Sequence, residues 1–412
     1  MNDPALLILL VIAIAIGFFL GRRPRWRLPG RAARIPFNNI PFNKEYFQGL
    51  NYLLNEQADK AVDAFVGSLA VNGDTLETHL ALGKLMRKQG QVDRAIRIHQ
   101  NLLARPSLDE PHQHQVHLEL ARDFMAAGLL DRAEMLLKEV IAESALLRPE
   151  AQRYLLDIFQ DEREWTEAIE IADALASNKA LRGNPELRRE LTRMAAHFHC
   201  ELAVECHKRG ELRAAQGWLE KAVSVDRNCV RASILIGRIE NGQGRPKQAA
   251  RAFLRVAEQN PARLGECLED LFEAYVEADE TTGFDSFYDF MTTHIEQHPS
   301  TTAALFVVDK LLERAAQEPE RIDQAHSLLS SYLAEHPSLA GLSKLIALRL
   351  PGLQGELAHD VASLHALVEQ LMAERRLYAC NHCGFSGRQL HWRCPSCKQW
   401  DVIERVRGID AD

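Results

Sequence analysis

The pattern of apolar and polar positions divides the chain into four stretches of different character. Sixteen consecutive apolar or glycine residues, Ala5 to Leu20 (ALLILLVIAIAIGFFL), come first. As a helix this run spans about 24 Å, slightly short of a hydrocarbon core of about 30 Å. Asn2, Asp3, Gly21 and Arg22 can extend it into the interfaces. Next, PRWRLPGRAARIPFNNIP (Pro24 to Pro41) is rich in Pro and Arg and reads as a linker. Helical patterning then fills about residues 44–376. The last stretch is short and dominated by two C-x-x-C pairs.

Within the helical stretch a pattern G/A-x-x-Y/L/M followed by A-x-x-x-F/L recurs. LETHLALGKLMRKQGQVDRAIRIHQNLLARP places Ala95 34 residues after Ala61 of the preceding unit, GLNYLLNEQADKAVDAFVGSL. Comparable small residues follow at Ala133, Ala168, Ala215 and Ala249, at spacings of 38, 35, 47 and 34. The pattern resembles the tetratricopeptide repeat, a helix–turn–helix unit of about 34 residues. Gly83, Ala95, Gly237 and Ala249 fall where paired helices would cross closely. Gly90, Gly128, Gly210 and Gly244 fall at the turn between them, where positive φ suits glycine. Pro106, Pro261, Pro299 and Pro337 end units. Insertions are expected, chiefly SNKALRGNPEL near residues 177–187. Beyond Asn260 the signature decays, although QHP and EHP closings continue. The array has room for nine pairs, six of them explicit.

A repeat cannot bury its apolar face alone, so units stack into a superhelix with a concave groove suited to peptides or protein surfaces. The register puts Lys84, Arg87, Arg122, Arg153, His207 and Arg238 on first helices, facing that groove as candidate partner contacts.

The flanks of the first apolar run decide between three readings of it. A secretory leader carries positive charge before its apolar core and a small-residue cleavage site after it. Here Asp3 precedes the run and FFLGRRPRWR ends it. A buried core helix would lack the adjoining arginines. A membrane anchor fits both flanks, and the positive-inside rule places all that follows in the cytoplasm. Six arginines and no acid lie between Arg22 and Arg34, while Trp26 suits the headgroup level.

Composition adds few constraints. Over 412 residues, 46% are hydrophobic and 26% charged, as in ordinary globular chains. A net charge of −8 argues against general nucleic-acid binding. Cys200, Cys206, Cys229 and Cys267 are scattered in helical sequence and read as small buried hydrophobes, in keeping with a reducing compartment. HFHCELAVECH spreads His197, Cys200 and His207 over about 15 Å of helix, too far for one ion. The sequence contains no H-E-x-x-H, G-x-S-x-G or G-x-x-x-x-G-K-[ST], and NGQGRP (241–246) is a repeat turn without the lysine of a phosphate cradle. No enzymatic machinery is visible.

YACNHCGFSGRQLHWRCPSCKQW (Tyr378 to Trp400) is the strong chemical signal. Cys380, Cys383, Cys394 and Cys397 form two knuckles ten residues apart, suited to one tetrahedral zinc or iron. Gly384 and the Cys394-Pro395 turn let backbone N–H groups aim at sulfur and stabilise thiolate. So few residues cannot make a self-sufficient core, so the metal supplies folding free energy. Tyr378, Phe385, Trp392 and Trp400 are expected to cluster around the ion.

The order of parts (short anchor with arginines, repeat array, terminal C-x2-C-x10-C-x2-C) resembles the lipopolysaccharide assembly protein B family of Gram-negative bacteria, over essentially the whole chain. The resemblance implies an all-α tetratricopeptide superhelix with an N-terminal transmembrane helix and a small rubredoxin-like knuckle. Its divisions are 1–22 (transmembrane anchor), 23–43 (basic linker), 44–376 (repeat array) and 377–412 (metal-binding domain). It also implies one iron held by Cys380, Cys383, Cys394 and Cys397, with zinc the alternative, and location at the cell inner membrane. The implied role is a non-enzymatic adaptor that brings the lipid A deacetylase LpxC to the membrane protease FtsH. A scaffold for the lipopolysaccharide synthesis and export machinery is the alternative. A metal-dependent nucleic-acid binder is a third, opposed by net acidity and the missing phosphate loop. The knuckle is expected to cap the last repeats.

Overall fold

The computed structural model describes residues 73–406 except 107, 179–183 and 374, together with residues 49, 51, 52, 60 and 408. The expected anchor, the linker and the first repeat with Ala61 lie outside the described residues. Among the described residues no helix is long and apolar enough to cross a membrane. The chain divides into two compact units, Met1–Thr75 and Leu76–Asp412, and the second holds nearly all that is described.

Sixteen α-helices form eight antiparallel pairs among the described residues. They are α1 (Gly73–Lys88) with α2 (Val92–Leu103), α3 (Glu110–Ala126) with α4 (Leu130–Glu143), and α5 (Arg148–Glu162) with α6 (Trp165–Ser177). The series continues with α7 (Pro185–Lys208) and α8 (Leu212–Val225), then α9 (Val230–Gly242) and α10 (Pro246–Gln259). After a 3₁₀ turn, Pro261–Glu266, come α11 (Leu268–Ala278) with α12 (Gly283–Gln297) and α13 (Thr301–Ala315) with α14 (Arg321–Glu335). α15 (Leu339–Arg349) and α16 (Glu356–Ala373) complete it.

One turn device explains the periodic glycines. The first helix of a pair ends in a left-handed residue, and the next N–H bonds back to a carbonyl five residues earlier. Gln91 to Met86, Leu129 to Phe124, Glu211 to Cys206 and Arg245 to Glu240 all do so at 2.9–3.0 Å. The left-handed residues are Gly90, Gly128, Gly210 and Gly244, with φ between 69° and 80°. This Schellman closure satisfies carbonyls that would otherwise be orphaned. Between α5 and α6 the same position is Arg163, at φ 63°, with Glu164 bonding to Phe159. Beyond residue 260 the device changes. Asp279 accepts the Thr281 and Thr282 N–H groups between α11 and α12. Ser300 and Ser338 cap α13 and α15 through their hydroxyls. An aspartate turn thus stands at the α11–α12 junction, and the serines cap the first helices of their pairs. Gly355, at φ 68°, still precedes α16, so the turns no longer share one device and the repeat signature fades while the helix pairs continue.

Helices within a pair cross at small residues. A Cβ on Gly83 would lie 2.4 Å from the His99 ring, and one on Gly237 would lie 2.4 Å from the Phe253 ring. Ala95, Ala133, Ala168, Ala215 and Ala249 are wholly buried. Successive first helices (α3 and α5, α7 and α9, α9 and α11) approach each other more closely than successive second helices do among the described residues. The stack therefore curves with its first helices on the inner side.

The C-terminal segment forms a three-stranded antiparallel sheet in the order β2-β1-β3, with β1 at Tyr378–Cys380, β2 at Ser386–Gly387 and β3 at Ile403–Arg405. Tyr378 pairs with both Gly387 and Arg405, and Cys380 with Ile403. Among the described residues its own buried core is only Tyr378, Cys380, Cys394 and Ile403. Two expectations are corrected here. The knuckle does not cap the last repeats; it folds back onto α5, α7, α9, the 3₁₀ turn and the start of α13. Trp392 and Trp400 do not gather around the metal site. They point into the repeats, and Trp400 joins the core of Trp165 and Phe198. The physical reason is size: so small a sheet cannot bury two indoles, whereas the inner face of the array can.

Candidate metal centre

The two knuckles repeat one backbone plan. Cys380 N–H bonds to the Phe385 carbonyl at 2.7 Å, and Cys394 N–H bonds to the Gln399 carbonyl at 2.8 Å. Gly384 and Lys398 return N–H bonds to the carbonyls of Cys380 and Cys394 at 3.0 and 2.9 Å. Both sit in the left-handed region, at φ 76° and 61°. The following amides, of Phe385 and Gln399, donate to the sulfurs of Cys383 and Cys397. The Phe385 N–H, helped by the Ser396 side chain, lowers the Cys383 thiol to about 6.

The four sulfurs converge. Cys380 and Cys397 are 3.7 Å apart, as are Cys383 and Cys394, and all four lie within 4.8 Å of one another. None is in a disulfide. A tetrahedron with metal–sulfur bonds of about 2.3 Å has edges of about 3.8 Å, so the spacing fits one ion. Four protein ligands leave no open coordination position, which marks a structural rather than a catalytic centre. His382 turns to Gln399 at 3.3 Å and is not part of the sulfur group.

What the knuckle positions is a docking seam. Trp400 stacks on His197 with ring centroids 4.9 Å apart and meets Trp165 and Phe198 edge-on at 6.1 and 5.9 Å. Its indole N–H donates to Gln160. The guanidinium groups of Arg231 and Arg263 both lie over the Trp392 ring, at 5.9 and 5.5 Å, a doubled cation–π contact. Charged pairs ring these aromatics. Asp161 accepts from Arg393 at 2.9 Å and Lys398 at 2.5 Å. Burial alone would raise the Asp161 pKa, but these two donors hold it below the ordinary carboxylate range. Arg263 pairs with Asp401 at 3.0 Å. Glu266 accepts from the Tyr378 hydroxyl and from Arg405, whose other arm reaches Thr302 at 2.9 Å. Burial, then the Glu266 charge, pushes Tyr378 up to about 12.

The structure separates the residues expected to face the groove. Lys84 and Arg87 pair with buried Glu119, and Arg87 also with Asp123, so they join the first two described repeats to each other. Arg122 instead pairs with Glu119 within α3 and lies over the Tyr154 ring of α5. Arg238 pairs with Asp270 on the next first helix at 2.9 Å. Arg153 is exposed on a cleft of about 880 Å³ between α5, α7 and the knuckle. His207 is exposed at the end of α7. His197, Cys200 and His207 do not converge. His197 lies under Trp400, while Cys200 lies in the core 3.9 Å from the Cys229 sulfur. Sequence reasoning missed the seam residues Gln160, Asp161, Arg231, Arg263 and Glu266. The two tryptophans in a sheet too small to hold them were the available signal.

Fold and site together define a tetratricopeptide-repeat protein whose inner face is partly filled by its own metal knuckle. The tetratricopeptide repeat model matches residues 118–185 and 208–263, and the rubredoxin metal binding domain model matches residues 378–404. The chain is 33% identical to lipopolysaccharide assembly protein B of Escherichia coli (strain K12), over 98% of this chain and 99% of that one. It is 32% identical to the protein of the same name from Haemophilus influenzae, over 97% and 98%. Among solved structures, MamA is similar over 47% of this chain and 95% of its own, at 22% identity and a TM-score of 0.32. The chain belongs to the lipopolysaccharide assembly protein B family.

Proposed function

We propose that this chain is a non-enzymatic adaptor at the cell inner membrane, with its repeats and knuckle on the cytoplasmic side. Its task is to present the lipid A deacetylase LpxC to the membrane protease FtsH and so adjust lipopolysaccharide supply. The observation that carries this reading is kinship with assembly protein B along 98% of the chain. An anchored adaptor would gain from confinement beside a membrane protease, because tethering raises effective concentration. The knuckle stiffens the inner face for such presentation, and exposed Arg153 beside it and His207 are the expected contacts best placed to meet a partner. One iron in the four-thiolate site is the ion of choice, zinc the alternative. Elemental analysis and the visible spectrum of natively purified protein decide between them. For the adaptor role, depletion of the protein should lengthen the half-life of the deacetylase, and an unchanged half-life would sink the reading. The name the relatives carry, assembly protein, favours a second one, a scaffold for lipopolysaccharide assembly. Loss of co-purifying assembly proteins at constant deacetylase half-life would select it.

A further inference from the structure

Docking covers the four sulfur-bearing residues of the knuckle unequally. Cys394 is 1% exposed and Cys380 4%, Cys397 is half-buried, and Cys383 is exposed. The cause lies in the seam. Arg393, Lys398, Trp400 and Asp401 flank the second C-x-x-C pair and reach Asp161, Gln160 and Arg263 of the array. Seating them presses that half of the knuckle against the repeats. The tip of the other half stays open. Asn381, His382, Cys383 and Gly384 are all exposed, and a Cβ on Gly384 would meet nothing within 4 Å. Cys200, Cys206, Cys229 and Cys267 are buried in the repeats, which makes Cys383 the one exposed cysteine among the described residues.

Cysteine oxidation follows thiolate character and exposure, and a sulfenic acid condenses with a second thiol in reach. Cys394 supplies that second sulfur, 3.7 Å from the sulfur of Cys383. We propose that Cys383 is a modification site for hydroperoxides, resolved by Cys394, and that its oxidation empties the metal site and frees the knuckle from the inner face of the array. In the first step the Cys383 thiolate takes one oxygen of hydrogen peroxide. An S–O bond forms, the O–O bond breaks, and the other oxygen leaves as hydroxide, protonated to water. The Cys394 thiolate then attacks the sulfenic sulfur. An S–S bond forms, the S–O bond breaks, and a second hydroxide leaves and becomes water. The two sulfurs lose two electrons and the peroxide gains them. Cys380 and Cys397 then remain as the thiolate ligands, too few for a tetrahedral site. A sheet with so small a core keeps its fold through the metal, so it unfolds, and the Trp400–His197 stack and the Trp392 contacts go with it.

The test uses the full chain in detergent, loaded with zinc because zinc has no redox chemistry of its own. Graded hydrogen peroxide should release the zinc, read with a chromogenic chelator. Peptide mapping after alkylation should find Cys383 joined to Cys394, with Cys200, Cys206, Cys229 and Cys267 still thiols. Protease cleavage between α16 and β1 should rise in step with zinc release, while the helical circular dichroism holds. A thiol reductant with added zinc should reverse all of this. Cys383→His offers zinc a ligand that forms no disulfide, and it should hold its zinc at the dose that empties wild type. Cys397→His should lose zinc as wild type does. Should Cys383→His take up no zinc, the wild-type peptide map decides alone. Zinc held until the repeat cysteines are oxidised overturns the proposal, as does a first disulfide without Cys383. Zinc release from a knuckle that stays protease-resistant overturns it too, as does Cys383→His emptying as readily as wild type.

Discussion

Trp400 donates its indole N–H to the side-chain oxygen of Gln160 at 2.8 Å, across 240 residues of sequence. Both residues are buried, so this bond closes inside the protein. It joins a sheet too small to fold by burial alone to the middle of an array that needs no such sheet to make its helices. The two parts thereby become one mechanical body, with metal at one end of the linkage and repeat packing at the other.

Removing the acceptor should expose that linkage. Gln160→Met keeps the volume but leaves a buried indole N–H unpaired, which costs about 1–3 kcal/mol. Trp400→Phe removes the donor. In the double variant the penalties should not add, with a coupling of about 0.5–3 kcal/mol in a denaturation cycle. Additive penalties would mean that the bond contributes nothing.

Metal loss should act first on the seam. Cys383→Ser or Cys394→Ser breaks the four-sulfur set, and the ion's binding energy is what folds the sheet. We expect no bound metal, protease cleavage after residue 376, and near-normal helical content, since the repeat cores consist almost entirely of repeat residues. Unchanged metal content and unchanged protease resistance would refute this.

Docking should also weaken in mild acid. Burial, then the charges of Arg231, Arg193 and Arg263, holds His197 well below its ordinary value of 6.5. An undocked His197 binds a proton near 6.5 and the docked one does not. The docking free energy is therefore fully present above about 6.5 and falls as pH drops towards the lowered docked value. Asp401, raised by burial against the opposing Arg263 charge, works in the other direction and only nearer the carboxylate range. Limited proteolysis of the knuckle should accelerate between pH 6.5 and 5 in wild type, about as linkage requires, and His197→Phe should flatten that response.

The repeat plan was legible because its determinants are local. Gly90, Gly128, Gly210 and Gly244 mark turns whose conformation glycine favours, and Gly83 and Gly237 mark close crossings. Arg163 adopts the same left-handed turn without a glycine to announce it, and the serine and aspartate devices after residue 260 carry no fixed repeat spacing. The four sulfurs were equally legible, since two knuckles of the same length impose their convergence. The seam was not. Pairs such as Arg263–Asp401 and Arg405–Glu266 span 138 and 139 residues, and no local period links their members. Arg87 shows the converse, a local register that does not reveal a long-range pairing. Its register suggested a candidate partner contact facing the groove, and two buried acids on the next repeat pair with it.

Two glycine substitutions should have opposite signs if the helix crossings are as described. In Gly237→Ala the new methyl meets the Phe253 ring at 2.4 Å, and that ring is wholly buried, so it has little room to yield. Overpacking of this kind costs about 1–3 kcal/mol. Phe253→Leu on the same background should recover part of the loss. Gly217 lies within α8 with nothing within 4 Å of its would-be Cβ. Gly217→Ala there should stabilise by about 0.5–1 kcal/mol through helix propensity alone. Urea denaturation followed by circular dichroism measures both. A stabilising Gly237→Ala would mean that α9 and α10 do not cross at this residue.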